Sequence, residues 1–434
     1  MDRLLKLNDS LKARYLCLQI LIGVFKKKKT VSQTLEEQYL SMHSYEESDI
    51  ARAKRISDFI FVYLQGLDNC INLYSEKKLK LEVRNILRIV VAESFFDEAP
   101  DHAIVNSAVQ LSKLSKSTKY YSGLVNAISR RILVYVQGDN LILVSVLEEK
   151  LRTYLSNFYP NEVIKRIEKL MTKKAPIDVN IKNFEEINCW KEKLNAKKLP
   201  SGILRLQNPK GLSSLPGFKE GKWWVQGASS SMPIKILGKI SGVEVLDLFS
   251  APGGKAMQLI SAGAKVTCLD FSLKRLELLK KNLIRMNMKA KIINSDIRKF
   301  ESKIKYDIIT IDAPCSSSGT IIKNKDLPHL LPVERILNLT TVQDESLDLA
   351  RKYVKEDGVI LYCTCSLFPA EGEERVSEFL VKNQDWMQKA ICPKEHGLEA
   401  DWVDSKGGLR LRPDHLFDLG GMDGFYAAIL VKNN

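Results

Sequence analysis

The pattern of apolar and polar positions changes period along the chain. Over the first third, apolar residues recur three and four apart, which gathers them on one face of a helix. The spacing predicts helices over Leu11–Phe25, Ile50–Gln65, Leu81–Glu93, His102–Leu114 and Tyr121–Val136. Gly66-Leu67-Asp68-Asn69 and Ala99-Pro100-Asp101 interrupt the periodicity and read as turns. Residues 1–148 show no alternating pattern, so an all-α bundle is expected there.

Residues 149–230 carry short strand-like runs, Ile177–Ile181 and Gly202–Leu206, among stretches rich in Lys and Asn. They predict a small α+β linker domain, with Trp223-Trp224 in its core because paired aromatics usually pack. From residue 231 to 434, apolar runs of strand length alternate with helical stretches, the pattern of a doubly wound, Rossmann-like α/β domain. Its strands are expected at Val243–Leu248, Lys265–Leu269, Ala290–Asn294, Tyr306–Ile311 and Gly358–Cys363, with Phe425–Val431 completing the sheet as an antiparallel strand.

The turn after the first of these strands carries chemistry. In DLFSAPGGK, Pro252 fixes one φ, while Gly253 and Gly254 let the backbone turn sharply and approach a ligand. A strand, a Gly-rich turn and a helix in that order form the usual cradle for a nucleotide-like cofactor. A phosphate-binding P-loop would need Gly at Phe249 and Ser or Thr at Ala256, and the dinucleotide pattern G-x-G-x-x-G is absent. Asp270, Asp296 and Asp312 follow the ends of three further strands. Three acids so placed suit a cofactor with ribose and adenine but no phosphates, so S-adenosylmethionine (SAM) is expected.

Composition bounds the setting. A chain of 434 residues is too long for one core. No apolar run approaches the length of a membrane span, and the charged, amphipathic N-terminus reads as a first helix rather than a signal peptide. Eight cysteines without regular spacing point to reduced thiols in a cytosol. The net charge is +14, and residues 151–230 supply more than half of it, with 15 Lys and Arg against 7 Asp and Glu. That local excess would steer a polyanion such as RNA toward the domain that follows.

Two cysteines stand out. Cys315 follows Pro314 in Asp312-Ala313-Pro314-Cys315-Ser316, and Cys365 lies in Thr364-Cys365-Ser366, each just beyond a strand. Neighbouring strands would bring both into the crevice where doubly wound sheets hold ligands. The alternatives are buried apolar cysteines, or a metal site built from Cys315, Cys363 and Cys365. No fourth ligand sits at a suitable spacing, so no metal is expected, and Cys363 reads as a buried strand residue.

Taken together, DLFSAPGGK, DAPCSSSGT and YCTCSLFP resemble the SAM-dependent RNA cytosine-5 methyltransferases of the Nol/Nop/Sun family. Arg84-Asn85-Ile86-Leu87-Arg88, Ala103–Val109 and Leu124-Val125-Asn126-Ala127 resemble the NusB antitermination-factor fold. The resemblance implies a class I SAM methyltransferase domain behind a NusB-like RNA- or protein-binding bundle. It implies that Phe249, Ser250, Ala251, Pro252, Gly253, Gly254 and Lys255 form the SAM loop, Asp270 the ribose acid, and Asp296 the acid beside adenine. Asp312 would sit where cofactor and base meet; Cys365 would be the nucleophile, and Cys315 the second cysteine that resolves the covalent intermediate. Lys255 or the sulfonium is the candidate for lowering the pKa of Cys365. The implied substrate is a cytosine of small-subunit ribosomal RNA, methylated at C5 by a cytoplasmic monomer with no metal and no membrane partner. The chain departs from the family pattern with Ile321–Leu327 after the first cysteine motif and with Glu371-Gly372-Glu373 where Glu-Asn-Glu is common. Competing readings are a cytosine methyltransferase acting on tRNA or DNA, the latter using Cys315, and a non-catalytic RNA-binding assembly factor.

Overall fold

The structure, a computed structural model, describes residues 9–41, 45–75, 77–96, 99–138, 140–331 and 336–433. The chain divides into two compact units, one holding the residues up to Thr172 together with Asn324–Leu331, the other holding the rest.

The first unit is helical: α1 Asp9–Phe25, α2 Val31–Ser41, α3 Glu47–Asn72, α4 Leu81–Glu93, α5 Asp101–Leu114, α6 Ser122–Gln137, α7 Glu149–Ser156 and α8 Asn161–Met171. Helix α4 is buried without a break from Asn85 through Glu93, the mark of a central helix. Charges inside the bundle are paired, as burial requires. Glu93 takes Arg14 at 2.6 Å and Arg52 at 2.9 Å, and Arg88 makes two bonds to Asp68 at 2.8 and 2.6 Å.

Two features differ from the sequence expectation. Helix α3 runs straight through Gly66–Asn69, because Leu67, Cys70 and Ile71 are buried in the core; its one distortion lies earlier, at Tyr63. Helix α2, too polar to show a clear period, was not predicted. A third feature has no local signal at all. Residues 324–331, which follow the first cysteine motif in sequence, fold with the helices. Asp326 accepts a hydrogen bond from the Val31 amide at 2.9 Å, and His329 Nε2 donates to the Phe61 carbonyl at 2.9 Å. Leu330 joins the bundle core.

The second unit opens with a small antiparallel sheet of order β2-β3-β1-β4, formed by β1 Asp178–Ile181, β2 Ala196–Lys198, β3 Leu204–Leu206 and β4 Trp223–Val225, with helix α9 Ile187–Lys193 against it. Both tryptophans are core residues: Trp223 packs with Val179, Trp190 and Leu204, while Trp224 points into the core of the larger domain. Arg205, buried on β3, grips Asp178 through two bonds of 2.7 and 3.0 Å and also donates to the Leu419 and Gly421 carbonyls. The small sheet is thereby fixed to the loop before the last strand.

After α10 Ala228–Lys235 comes the large sheet: β5 Glu244–Leu248, β6 Lys265–Asp270, β7 Lys291–Asn294, β8 Tyr306–Asp312, β9 Val354–Thr364, β10 Trp386–Lys389, β11 Leu409–Leu411 and β12 Phe425–Lys432. The intervening helices are α11 Gly254–Ser261, α12 Leu273–Arg285, α13 Ile336–Tyr353 and α14 Glu373–Lys382. The strand order is β10-β12-β9-β8-β5-β6-β7, with β5 to β9 parallel, β12 antiparallel to β9 as predicted, and β11 paired to β12. The chain order reverses between β5 and β8, so the crevice for a ligand opens there, at the C-terminal edge.

Candidate active site

Strand β5 delivers the Gly-rich turn to that edge. Asp247, fully buried, accepts hydrogen bonds from Ser250 Oγ and Thr310 Oγ1, both at 2.5 Å, and burial pushes its carboxyl up to about 6. Phe249 takes a left-handed backbone (φ 57°), and so does Gly253 (φ 104°), where a Cβ would also collide with the Leu279 side chain. It is the backbone conformation that requires glycine at 253. Helix α12 holds the turn from behind: Arg275 donates to the Ala251 carbonyl and Asn282 to the Pro252 carbonyl at 3.0 Å.

Two cavities meet at Phe249, which lines both. One, of about 210 Å³, is bordered by Ser250, Ala251, Pro252, Gly254, Lys255 and Asp312. The other, of about 260 Å³, is an apolar slot of Leu269, Phe271, Ile297 and Pro314 with Asp296 at its side. A flat apolar slot beside an acid fits a purine, and the glycine turn fits the polar remainder of an adenosyl group. Asp270 stands directly behind the glycine turn. It is fully buried at the end of β6, lines neither cavity, and accepts from the Ser272 amide at 2.9 Å and the Ala251 amide at 3.3 Å, with Arg275 3.4 Å away. Gly253 likewise shapes the turn without lining a cavity.

The two cysteines expected to share a crevice do so. Cys315 Sγ and Cys365 Sγ are 3.4 Å apart, although 50 residues separate them in sequence. Pairing of β8 with β9 sets Asp312 opposite Cys363, and the two loops that follow leave the sheet side by side. Gly319 seals them together: its amide donates to the Cys365 carbonyl at 2.9 Å, and its carbonyl accepts from the Gly424 amide at 2.7 Å. Ser317, left-handed at φ 58°, places its hydroxyl 3.5 Å from Cys365 Sγ. Cys363, as read from sequence, is buried in β9.

The two thiols are electrostatically unequal. Cys315 donates to Cys365, which pulls the Cys365 thiol below its ordinary range; burial and Asp312 oppose this, and Ser317 and Lys255 add to it. The same contact raises Cys315 well above that range, reinforced by burial and by the nearby Glu371 carboxylate. Lys255 therefore has a smaller part than the sequence suggested. Its ammonium, buried, pairs with Asp312 Oδ2 at 2.7 Å and lies 4.9 Å from the centre of the Phe425 ring. Burial works against its charge, but Asp312 outweighs burial, so its pKa is pushed up. Sequence reasoning noted Glu371 only as part of a departure from a motif. The structure buries it completely between the cysteine loops, and a serine immediately after each cysteine was the one signal pointing to it.

A doubly wound sheet with a left-handed glycine turn, an apolar slot beside an acid and a half-buried pair of thiols at its C-terminal edge defines a SAM-dependent methyltransferase. Comparison with known proteins makes this specific. Residues 235–431 match the family model for the 16S rRNA methyltransferases RsmB/F, and residues 11–133 match the NusB family. The chain thus carries an RsmB/F methyltransferase domain with a NusB-family domain ahead of it. It is 28% identical over 449 residues to ribosomal RNA small subunit methyltransferase B of Pasteurella multocida, covering 97% of this chain and 96% of that one. The protein of the same name from Vibrio vulnificus is 27% identical over 435 residues, covering 95% and 97%. Among solved structures, PH0851 shares the fold across 98% of this chain and 99% of its own, at a TM-score of 0.75 and 22% identity. NSun6 from Pyrococcus horikoshii shares it across 66% of this chain and 98% of its own, at a TM-score of 0.54 and 19% identity. Among the described residues no helix is long and apolar enough to cross a membrane.

Proposed function

We propose that this chain methylates C5 of a cytosine in 16S ribosomal RNA, with Cys365 as nucleophile and Cys315 as the group that resolves the covalent intermediate. The observation that carries this reading is the contact of the two sulfurs at 3.4 Å beside a cavity that Asp312 and Lys255 line. Cytosine C5 is too weak a nucleophile to be methylated directly. The Cys365 thiolate adds to C6, which turns C5 into an enamine carbon. SAM supplies an electrophilic methyl group at C5. Loss of the C5 proton to a base then expels the Cys365 thiolate and restores the aromatic ring. Cys315 sits where it stabilises the Cys365 thiolate beforehand and assists that elimination afterwards. Asp312, held in place by Lys255, would accept a hydrogen bond from the exocyclic amine on the N3 edge of the base. Phe249, Phe271, Pro314 and Asp296 would hold the adenosine, while Ser250, Ala251, Pro252, Gly254 and Lys255 would receive the methionine end, in a turn that Gly253 shapes. Asp270 fixes the Ala251 amide and so shapes the wall that receives the ribose. Reaching C6 requires an unstacked base, which favours a single-stranded segment of a ribosomal RNA handled in the cytoplasm.

The test uses labelled SAM with 16S rRNA. Cys365→Ala is expected to abolish transfer, and Cys315→Ala to accumulate a protein–RNA adduct that survives denaturing electrophoresis. A Cys365→Ala enzyme that still methylates would reject the assignment. Methylation of duplex DNA or tRNA in preference to rRNA would reject the substrate.

A further inference from the structure

Glu371 has no part in the chemistry just described, yet its surroundings are unusual. It is fully buried, and every group that donates to its carboxylate is neutral. Oε1 accepts from the Ser316 amide at 2.8 Å and from Gln343 Nε2 at 3.3 Å; Oε2 accepts from Ser316 Oγ at 2.5 Å and Ser366 Oγ at 2.6 Å. An anion buried without a cation is expensive to hold and survives only when hydrogen bonds replace its water. Here those bonds come from the residue after each cysteine. One carboxylate thus spans two loops 50 residues apart in sequence, with Tyr362 Oη donating to the Glu371 backbone carbonyl at 2.8 Å to fix it from β9.

We propose that Glu371 is the positioning residue of this site, locking the Cys315 and Cys365 loops into one geometry and, through its charge, keeping Cys315 the protonated partner and Cys365 the nucleophile. Its negative charge opposes ionisation of Cys315, so the proton shared by the thiol pair stays there and Cys365 carries the charge. The other ionisable groups facing the pair are Asp312 on β8, Lys255 on α11 and Tyr362 on β9. Arg410, which donates to the Ser366 carbonyl, and Arg375, which donates to the Ala370 carbonyl, stand behind the Glu371 segment.

This inference rests on the nucleophile assignment above, and its test needs neither RNA nor SAM. The full-length protein is treated with iodoacetamide across a pH series, and labelling of each cysteine is followed by peptide mass spectrometry. Wild type is expected to label Cys365 ahead of Cys315. Glu371→Gln, similar in size but neutral, is expected to lower that preference about tenfold, and Glu371→Asp, which keeps the charge, to retain most of it. Methylation kinetics of the same variants should show kcat reduced in Glu371→Gln with KM for SAM unchanged, since Glu371 lines neither cavity. Ser316→Ala covers the case in which Glu371→Gln does not fold: it removes one donor and keeps the charge, so kcat should fall about fivefold while Cys365 still labels first. Unchanged selectivity in a folded Glu371→Gln, or a wild-type kcat in Ser316→Ala, overturns the proposal. Failure of the nucleophile assignment would look different: wild type itself would label Cys315 first or transfer no methyl to RNA.

Discussion

Gly319 offers a sharp test of how closely the cysteine loops must be held. Its φ is not left-handed, so alanine adopts the same backbone without strain and only space is at issue. A Cβ at this position would fall on the Gly424 carbonyl oxygen, 2.6 Å from the Gly424 carbonyl carbon and 2.9 Å from the Cys365 carbonyl oxygen. All three are backbone atoms, and none can swing aside as a side chain could. Ordinary contact at about 3.4 Å requires the nearest of them, the Gly424 carbonyl oxygen, to move away by about 1.3 Å, which strains the Gly319–Cys365 and Gly424–Gly319 hydrogen bonds of 2.9 and 2.7 Å. Overpacking of this kind costs about 1–3 kcal/mol of stability. The larger effect is on rate, because a misplacement near 1 Å costs about 100-fold in a reaction that depends on alignment. Gly319→Ala is therefore expected to fold, to bind SAM within about twofold of wild type by calorimetry, and to lose about 30- to 100-fold in kcat for methyl transfer. A variant that folds and keeps kcat within about threefold of wild type would refute the reasoning, since the two loops would then tolerate separation.

Further outcomes follow from other parts of the site. The methylation rate should rise with pH as Cys365 loses its proton and then level off; because Cys315 pulls that thiol below its ordinary range, the plateau should come at lower pH than alkylation of free cysteine in solution. Asp247 binds its proton more tightly folded, at about 6, than unfolded, near 3.8, so its contribution to stability is lost as pH rises from about 4 through 6. Asp247→Asn should accordingly be more stable than wild type at pH 7.5 without SAM, by at most about 3 kcal/mol, with the advantage gone by about pH 4 in a thermal-denaturation series. Arg205→Met leaves Asp178 buried without its partner and should lower stability by about 3–5 kcal/mol in denaturant titration.

Much of the catalytic domain was legible because its signals are local. A strand running into a glycine turn, acids at strand ends and Cys after Pro each depend on a few adjacent residues, and the register of β8 and β9 then brings Cys315 to Cys365. What the chain hid depends on distant partners. Gly66 reads as a breaker, yet buried Leu67 and Ile71 hold α3 together around it. Asp270 has the spacing of a ribose acid, but nothing local to it shows that its carboxylate also accepts from the Ala251 amide, 19 residues back, and from the Ser272 amide. The buried anion of Glu371 lies among polar neighbours, and nothing in Pro369-Ala370-Glu371 announces that it spans two loops.

The membership of residues 324–331 in the helical unit bears on biosynthesis. When Thr172 leaves the ribosome, the bundle still lacks Leu330 from its core, the His329 ring beside Phe25 and Phe61, and the Asp326 bond at the start of α2. At 5–20 residues per second, roughly 8–30 s of further translation separates the eighth helix from the segment that closes it. The N-terminal unit is thus finished only after β5 to β8, half the strands of the large sheet, have been made, and a fragment ending at residue 172 is expected to be less stable than the same helices within the whole chain.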